Sequence, residues 1–144
     1  MSRIVSTQSL GTQRTRLSKS IVLAIREILK KQVFDQEVKE MAAYIVIALM
    51  AINETIDAAI VPWEKRGYWV KADRFRLDWE WATKLSTKLK DEINNNNWDE
   101  VIPVLIEIGL KFNKIQVSER HRMGQPWVGA LEEYELRELH LNDR

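Results

Sequence analysis

The sequence predicts an all-α fold: a helical bundle of about four main helices plus a short C-terminal helix or arm. Three observations predict it. Apolar residues recur three and four apart through long segments, which is the spacing of amphipathic helices. Only five Gly and three Pro occur, too little punctuation for an all-β domain. The chain is 45% hydrophobic and 30% charged, proportions of a globular protein rather than a disordered one, and its 144 residues suit a single domain.

Residues 1–14 read as a basic, flexible N-terminal arm. Helix one is expected from about Thr15 to Lys31, where Leu17, Ile21, Ala24, Ile25 and Ile28 keep helical spacing. Lys30 and Lys31 suit its negative C-terminal end. Helix two starts after Asp35, a good N-cap, and continues to about Ile60, with Pro62 expected to end it. Its centre, Met41–Ile52, is apolar on every side of a wheel, so this helix is central. That run of twelve is short of the ~20 residues that cross a bilayer, which favours a core helix and no membrane.

Helix three runs to about Glu92, after a break at Gly67. Helix four follows Asn97, with Glu100 three residues later in a capping-box-like arrangement. Pro103 predicts a kink or a later start. Residues 117–144 read as a loop followed by a C-terminal arm, with a short helix expected from Pro126 to Leu139.

Four of the six tryptophans fall between Pro62 and Trp81. On a wheel, helix three has two apolar faces. The wide one carries Phe75, Trp79, Ala82, Leu85 and Leu89, and the narrow one Val70, Leu77 and Trp81. One face packs a helix onto a bundle, so the narrow one is expected to be an interface with a second subunit, the C-terminal arm being its rival cover. The sets point about 150–240° apart, so Trp79 and Trp81 are expected to meet different neighbours. Arg74 and Asp78 lie between the faces and are a candidate buried ion pair, within a helix otherwise laced with surface pairs.

Charge is unevenly spread. Residues 1–31 hold seven Lys/Arg and one acid, Glu27, whereas the rest holds fifteen Lys/Arg and twenty acids. Arg14, Arg16, Lys19 and Arg26 are therefore candidate contacts to nucleic-acid phosphates, or to an acidic protein surface. The plain alternative is a solvated basic helix face. The first twenty residues contain no acid, which also resembles a transit peptide, although a basic arm on a cytoplasmic protein is the simpler reading. Arg120, His121 and Arg122 precede the last expected helix and are a further candidate for holding an anion, as against a solvated loop.

Several chemistries are absent from the sequence. With no cysteine there is no thiol nucleophile, disulfide scaffold or Cys-based metal site. No P-loop, G-x-G-x-x-G or G-x-S-x-G occurs. Neither His121 nor His140 has a Glu three residues before it, as a ferritin-like di-iron centre requires.

Glu37-x-x-Glu40 followed by Glu54-x-x-Asp57 resembles the ExxE…ExxD pattern of the MazG-like nucleotide pyrophosphatases, over these 21 residues only. The resemblance implies carboxylates on two facing helices that hold Mg²⁺, which in turn binds a triphosphate. The residues between, MAAYIVIALMAIN, contain no Gly, Pro or Asp to make a turn. On one continuous helix Glu40 and Glu54 lie ~21 Å apart, far beyond the ~2.0–2.6 Å reach of a shared ion. A partner chain is then needed to complete the site.

The expected function is accordingly that of a non-catalytic, cytoplasmic helical bundle acting through protein–protein interaction, as a homo-oligomer or with a protein partner, with no cofactor. A Mg²⁺-dependent MazG-like hydrolase and a nucleic-acid binder are the alternatives.

Overall fold

A helix that is apolar on every side needs neighbours on every side. The computed structural model, which describes residues 9–142, supplies them. Five helices occur among those residues: α1 (Leu10–Lys30), α2 (Gln36–Lys65), α3 (Trp69–Asn94), α4 (Trp98–Lys111) and α5 (Ala130–Asn142). α2 packs against α1, α3 and α5, while α4 packs on α3 and meets α1 along a short stretch. The fold is an all-α bundle, as the sequence predicts. Met41, Ile45, Leu49 and Ile52 of α2 are fully buried with Ile21, Leu23, Leu89, Leu105 and Ile108. By length and composition α2 is able to cross a membrane, with a mean hydropathy of 1.7 in its most apolar window. In the bundle that apolar surface is what the other helices cover.

Local chemistry sets the helix ends. Ser9 Oγ accepts from the Thr12 N–H at 3.0 Å, so α1 begins five residues before the expected Thr15. Leu10–Arg14 are therefore helix rather than flexible arm, and residues 1–8 lie outside the described residues. Asp35 Oδ1 caps α2 through the Val38 N–H at 3.1 Å, as expected. Pro62 does not end α2. The helix runs on to Lys65 and closes in a Schellman motif, in which Tyr68 N–H donates to Trp63 O at 2.8 Å and Gly67 N–H to Glu64 O at 3.0 Å. Gly67 takes φ +80°, the left-handed conformation this stop requires.

Two further expectations are corrected. Asn97 is the N-cap of α4 as expected, but without the side-chain cap: its Nδ2 donates to Glu92 Oε2 at 2.8 Å, and α4, starting at Trp98, includes Pro103 rather than starting after it. α5 starts at Ala130 rather than Pro126, because Gly129 sits at φ +83° and interrupts any helix before it. The C-terminal segment is not a loose arm. Trp127, Ala130 and Tyr134 are buried in the common core. Glu40 Oε2 accepts from the Leu131 N–H at 3.0 Å, placing a carboxylate at the positive end of α5.

The aromatic residues overturn the expected separation of Trp79 from Trp81. Their rings stack at 5.7 Å, and both reach Phe112 at the end of α4, at 6.4 and 5.1 Å. Buried Phe112 lies over the ridge between the two positions, and the indoles are long enough to converge on it. Phe75 packs edge-on against Trp63 at 5.3 Å.

Tyr134 Oη donates to Asn94 Oδ1 at 2.6 Å and ties α5 to the end of α3. Burial, and then the carboxylates of Glu138 and Asp91, push its hydroxyl well above the ordinary phenol value. Burial also raises Tyr44, whose Oη donates to Ser20 Oγ. A phenol that holds its proton more tightly when folded contributes stability that is complete below its unfolded value near pH 10, and that is lost as pH rises beyond it. The melting temperature should therefore fall as pH rises from about 10, and Tyr134→Phe should show a shallower fall. Thermal melts across the alkaline range check this; parallel curves for the two proteins would refute it.

Candidate functional site

α1 presents Thr12, Thr15, Arg16 and Lys19 on one face, at positions i, i+3, i+4 and i+7. The segment Gln116–Met123, about a hundred residues away in sequence, folds back alongside this face. Between them lies an open groove of about 860 Å³. Arg14, Arg16, Lys19, His121 and Arg122 line it, together with the hydroxyls of Ser9, Thr12, Thr15 and Ser118. No Asp or Glu lines it. Arg16, Lys19 and Arg122 are exposed, and none has an ion-pair partner among the described residues. The first turn of α1 carries no acid, so the positive end of its dipole adds to the same field.

Apolar packing of Ile115, Val117 and Met123 on the core holds the loop, and a hydrogen bond ties it to α1. Arg26 Nη1 donates to Val117 O at 2.7 Å. Glu27 and Glu119, at 3.5 and 3.9 Å from the same guanidinium, offset its charge. Further along the loop, His121 Nδ1 accepts from the Met123 N–H at 3.2 Å, leaving Nε2 as the ring's donor. Ser118 Oγ accepts from the Arg120 N–H at 3.1 Å and tightens the turn.

The four basic residues singled out in the sequence thus divide. Arg16 and Lys19 remain free for a ligand. Arg26 is committed to the loop. Arg14 lies at the groove's edge, with Nε donating to Thr55 Oγ1 at 3.1 Å and its guanidinium 4.9 Å over the ring of Phe75. Burial lowers its pKa from the ordinary value, but a guanidinium stays charged at any physiological pH. In the sequence the basic arm and the loop at 118–127 are separate candidates. Their shared signal, basic residues in acid-poor stretches, is visible in the sequence, but their proximity rests on tertiary contacts, the packing of Val117 and Met123 on the core and the Arg26–Val117 hydrogen bond. The expected anion position at the start of the last helix is already filled by Glu40.

The carboxylate quartet does not converge within the chain. α2 is unbroken from Gln36 to Lys65. Glu37 Oε1 accepts from Lys31 Nζ at 2.7 Å, Glu40 faces α5, and Glu54 and Asp57 are exposed further along. Among the described residues no group of three or more His, Asp or Glu side chains is arranged to hold a metal ion.

On α3, Val70 and Leu77 are 68% and 67% exposed, so the C-terminal helix does not cover the narrow face. Trp81 is half-buried against Phe112. Arg74 and Asp78 are both exposed and do not pair with each other, which corrects the expected buried ion pair. Arg76 pairs instead with Glu64 and Asp73, and Lys84 with Glu80 at 3.3 Å. Arg74 and Asp78 lie before the stretch at which this flank of α3 is buried, at Leu85 and Leu89.

No family model, characterised protein or solved structure matches the chain, and its function is argued from this geometry.

With α2 continuous, Mg²⁺ or Mn²⁺ should leave the melting temperature unchanged, since specific binding to the native state would raise it by mass action. Thermal melts with and without metal check this. A metal-dependent rise abolished by Glu54→Gln would restore the hydrolase reading.

Proposed function

We propose that the chain is a non-catalytic binding module that holds the phosphate backbone of a nucleic acid, without reading its sequence, in the groove between α1 and the 116–123 loop. The observation that carries this reading is the uncompensated charge: Arg16, Lys19 and Arg122, with Arg14 at the edge, line one groove in which no described Asp or Glu stands. Elsewhere about half of the described cations sit beside an acid, as Lys31, Arg76, Lys88 and Lys90 do. Free cations at a groove displace counterions from a polyanion, which is the main source of sequence-independent affinity.

The lining favours a duplex over single-stranded bases. No Phe, Tyr or Trp among the described residues lines the groove, and the single imidazole of His121 offers bases no extended stacking platform. The basic face from Thr12 to Lys19 is ~10 Å long, on the order of three base-pair rises along a B-form duplex axis. The hydroxyls of Thr12, Thr15 and Ser118 add neutral partners for phosphate oxygens.

Binding of duplex DNA or RNA should weaken steeply with salt. Three phosphate contacts, from Arg16, Lys19 and Arg122, give a log–log slope of roughly −2 to −3, and Arg16→Gln should make it shallower by about 1. Fluorescence anisotropy with a labelled duplex across a salt series measures both. No binding at low salt, or a slope unmoved by Arg16→Gln, would overturn the reading.

A further inference from the structure

We propose that α3 is the seam of a twofold-symmetric dimer, in which the stripe Val70, Arg74, Leu77 and Trp81 packs antiparallel against the same stripe of a second copy. This surface shares no residue with the basic groove, so the two readings stand or fall separately.

The first reason is apolar exposure on a regular stripe. Val70 and Leu77 are seven residues apart, and Arg74 and Trp81 follow each by four, which is the spacing that keeps one seam facing a partner helix. An open groove of about 380 Å³ beside the stripe, lined by Trp63, Val70, Lys71, Arg74, Phe75 and Asp78, is available to receive the partner's Leu77.

The second reason is charge, and it selects the occupant. Arg74 and Asp78 are at i,i+4, a spacing at which opposite charges commonly pair, yet they do not pair here and both are exposed. Neighbouring Asp73, Arg76, Glu80 and Lys84 all have intrachain partners. Lys71 on the same flank is engaged over the Trp63 ring at 4.3 Å; the free charges of both signs that remain beside the apolar stripe, Arg74 and Asp78, make the surface complementary to itself. In an isologous interface each residue meets its counterpart in both directions, so Arg74 faces the partner's Asp78, and Asp78 the partner's Arg74.

The third reason is register. Pairing Val70 with the partner's Trp81 sets the twofold axis midway between those positions on α3. Pairing Arg74 with the partner's Asp78 sets it midway between those two. The two midpoints differ by half a residue, about 0.75 Å along the helix. Apolar and ionic contacts thus ask for one and the same alignment. Arg74 and Asp78 also lie on the same flank of the stripe, as the reciprocal arrangement requires, while Asp73, Glu80 and Lys84 lie on the other. In that alignment the aliphatic stem of Arg74 covers the partner's Leu77.

The test is a charge-swap experiment by sedimentation velocity on nucleic-acid-free protein. Wild type should be a dimer at micromolar concentration. Arg74→Glu places two acids in contact twice per dimer, and Asp78→Lys places two bases in contact twice, so each variant alone should dissociate at least about tenfold more readily. An equimolar mixture of the two variants restores both attractive contacts and should dimerise again. That rescue also shows that both variants are folded. Leu77→Lys, at an exposed position, should be monomeric with its helical circular dichroism retained. A monomeric wild type, variants that remain dimeric, or single variants that dissociate without rescue on mixing would each overturn the proposal.

Discussion

The burial of α2 is the constraint on which the rest of the structure depends. Its central twelve residues offer no polar side on which to meet water, so the helix is stable only when wrapped. α1, α3 and α5 wrap it, and α4 closes on α3. The same continuity decides the chemistry of the chain. A helix with no break between Glu40 and Glu54 keeps its two carboxylate pairs on separate turns, where they serve as a lysine partner, a helix cap and a solvated surface instead of one cage.

Function-bearing geometry then falls to what is left outside that core. α1 turns its apolar residues to α2 and its basic, hydroxyl-bearing face outward. The loop after α4 lies across this face with Ile115, Val117 and Met123 packed on the core and the Arg26 guanidinium reaching the carbonyl of Val117. Arg26 is itself offset by Glu27 and Glu119, so it positions the groove without adding much to its field. Division of labour among like residues is the recurring pattern: Arg14 is held by Thr55 and the aromatic rings, Arg26 holds the loop, and Arg16, Lys19 and Arg122 are left uncompensated.

The helical class, the centrality of α2, and Asp35 as its cap are legible in the sequence because each follows from local periodicity or a one-turn hydrogen bond. What was missed depends on tertiary partners. Pro62 reads as a terminator, yet the stop belongs to Gly67, where a left-handed residue completes a Schellman closure. Trp79 and Trp81 read as opposite faces on a wheel, yet both converge on Phe112 from another helix. For the candidate site, Arg16 and Lys19 were legible as basic, but nothing local distinguished them from Arg14 and Arg26, and nothing local joined them to Arg122. Such pairings between distant segments have no signature within any single window of sequence.

The joining of those two distant segments into one phosphate-binding groove is also the claim most open to direct measurement. Amide resonances can be followed while a short duplex is titrated into the labelled protein at low salt. Shifts that grow together in residues 12–19 and in residues 116–123, with the α3 stripe unmoved, are the predicted result. Shifts confined to one of the two segments, or centred on another face of the bundle, would contradict it.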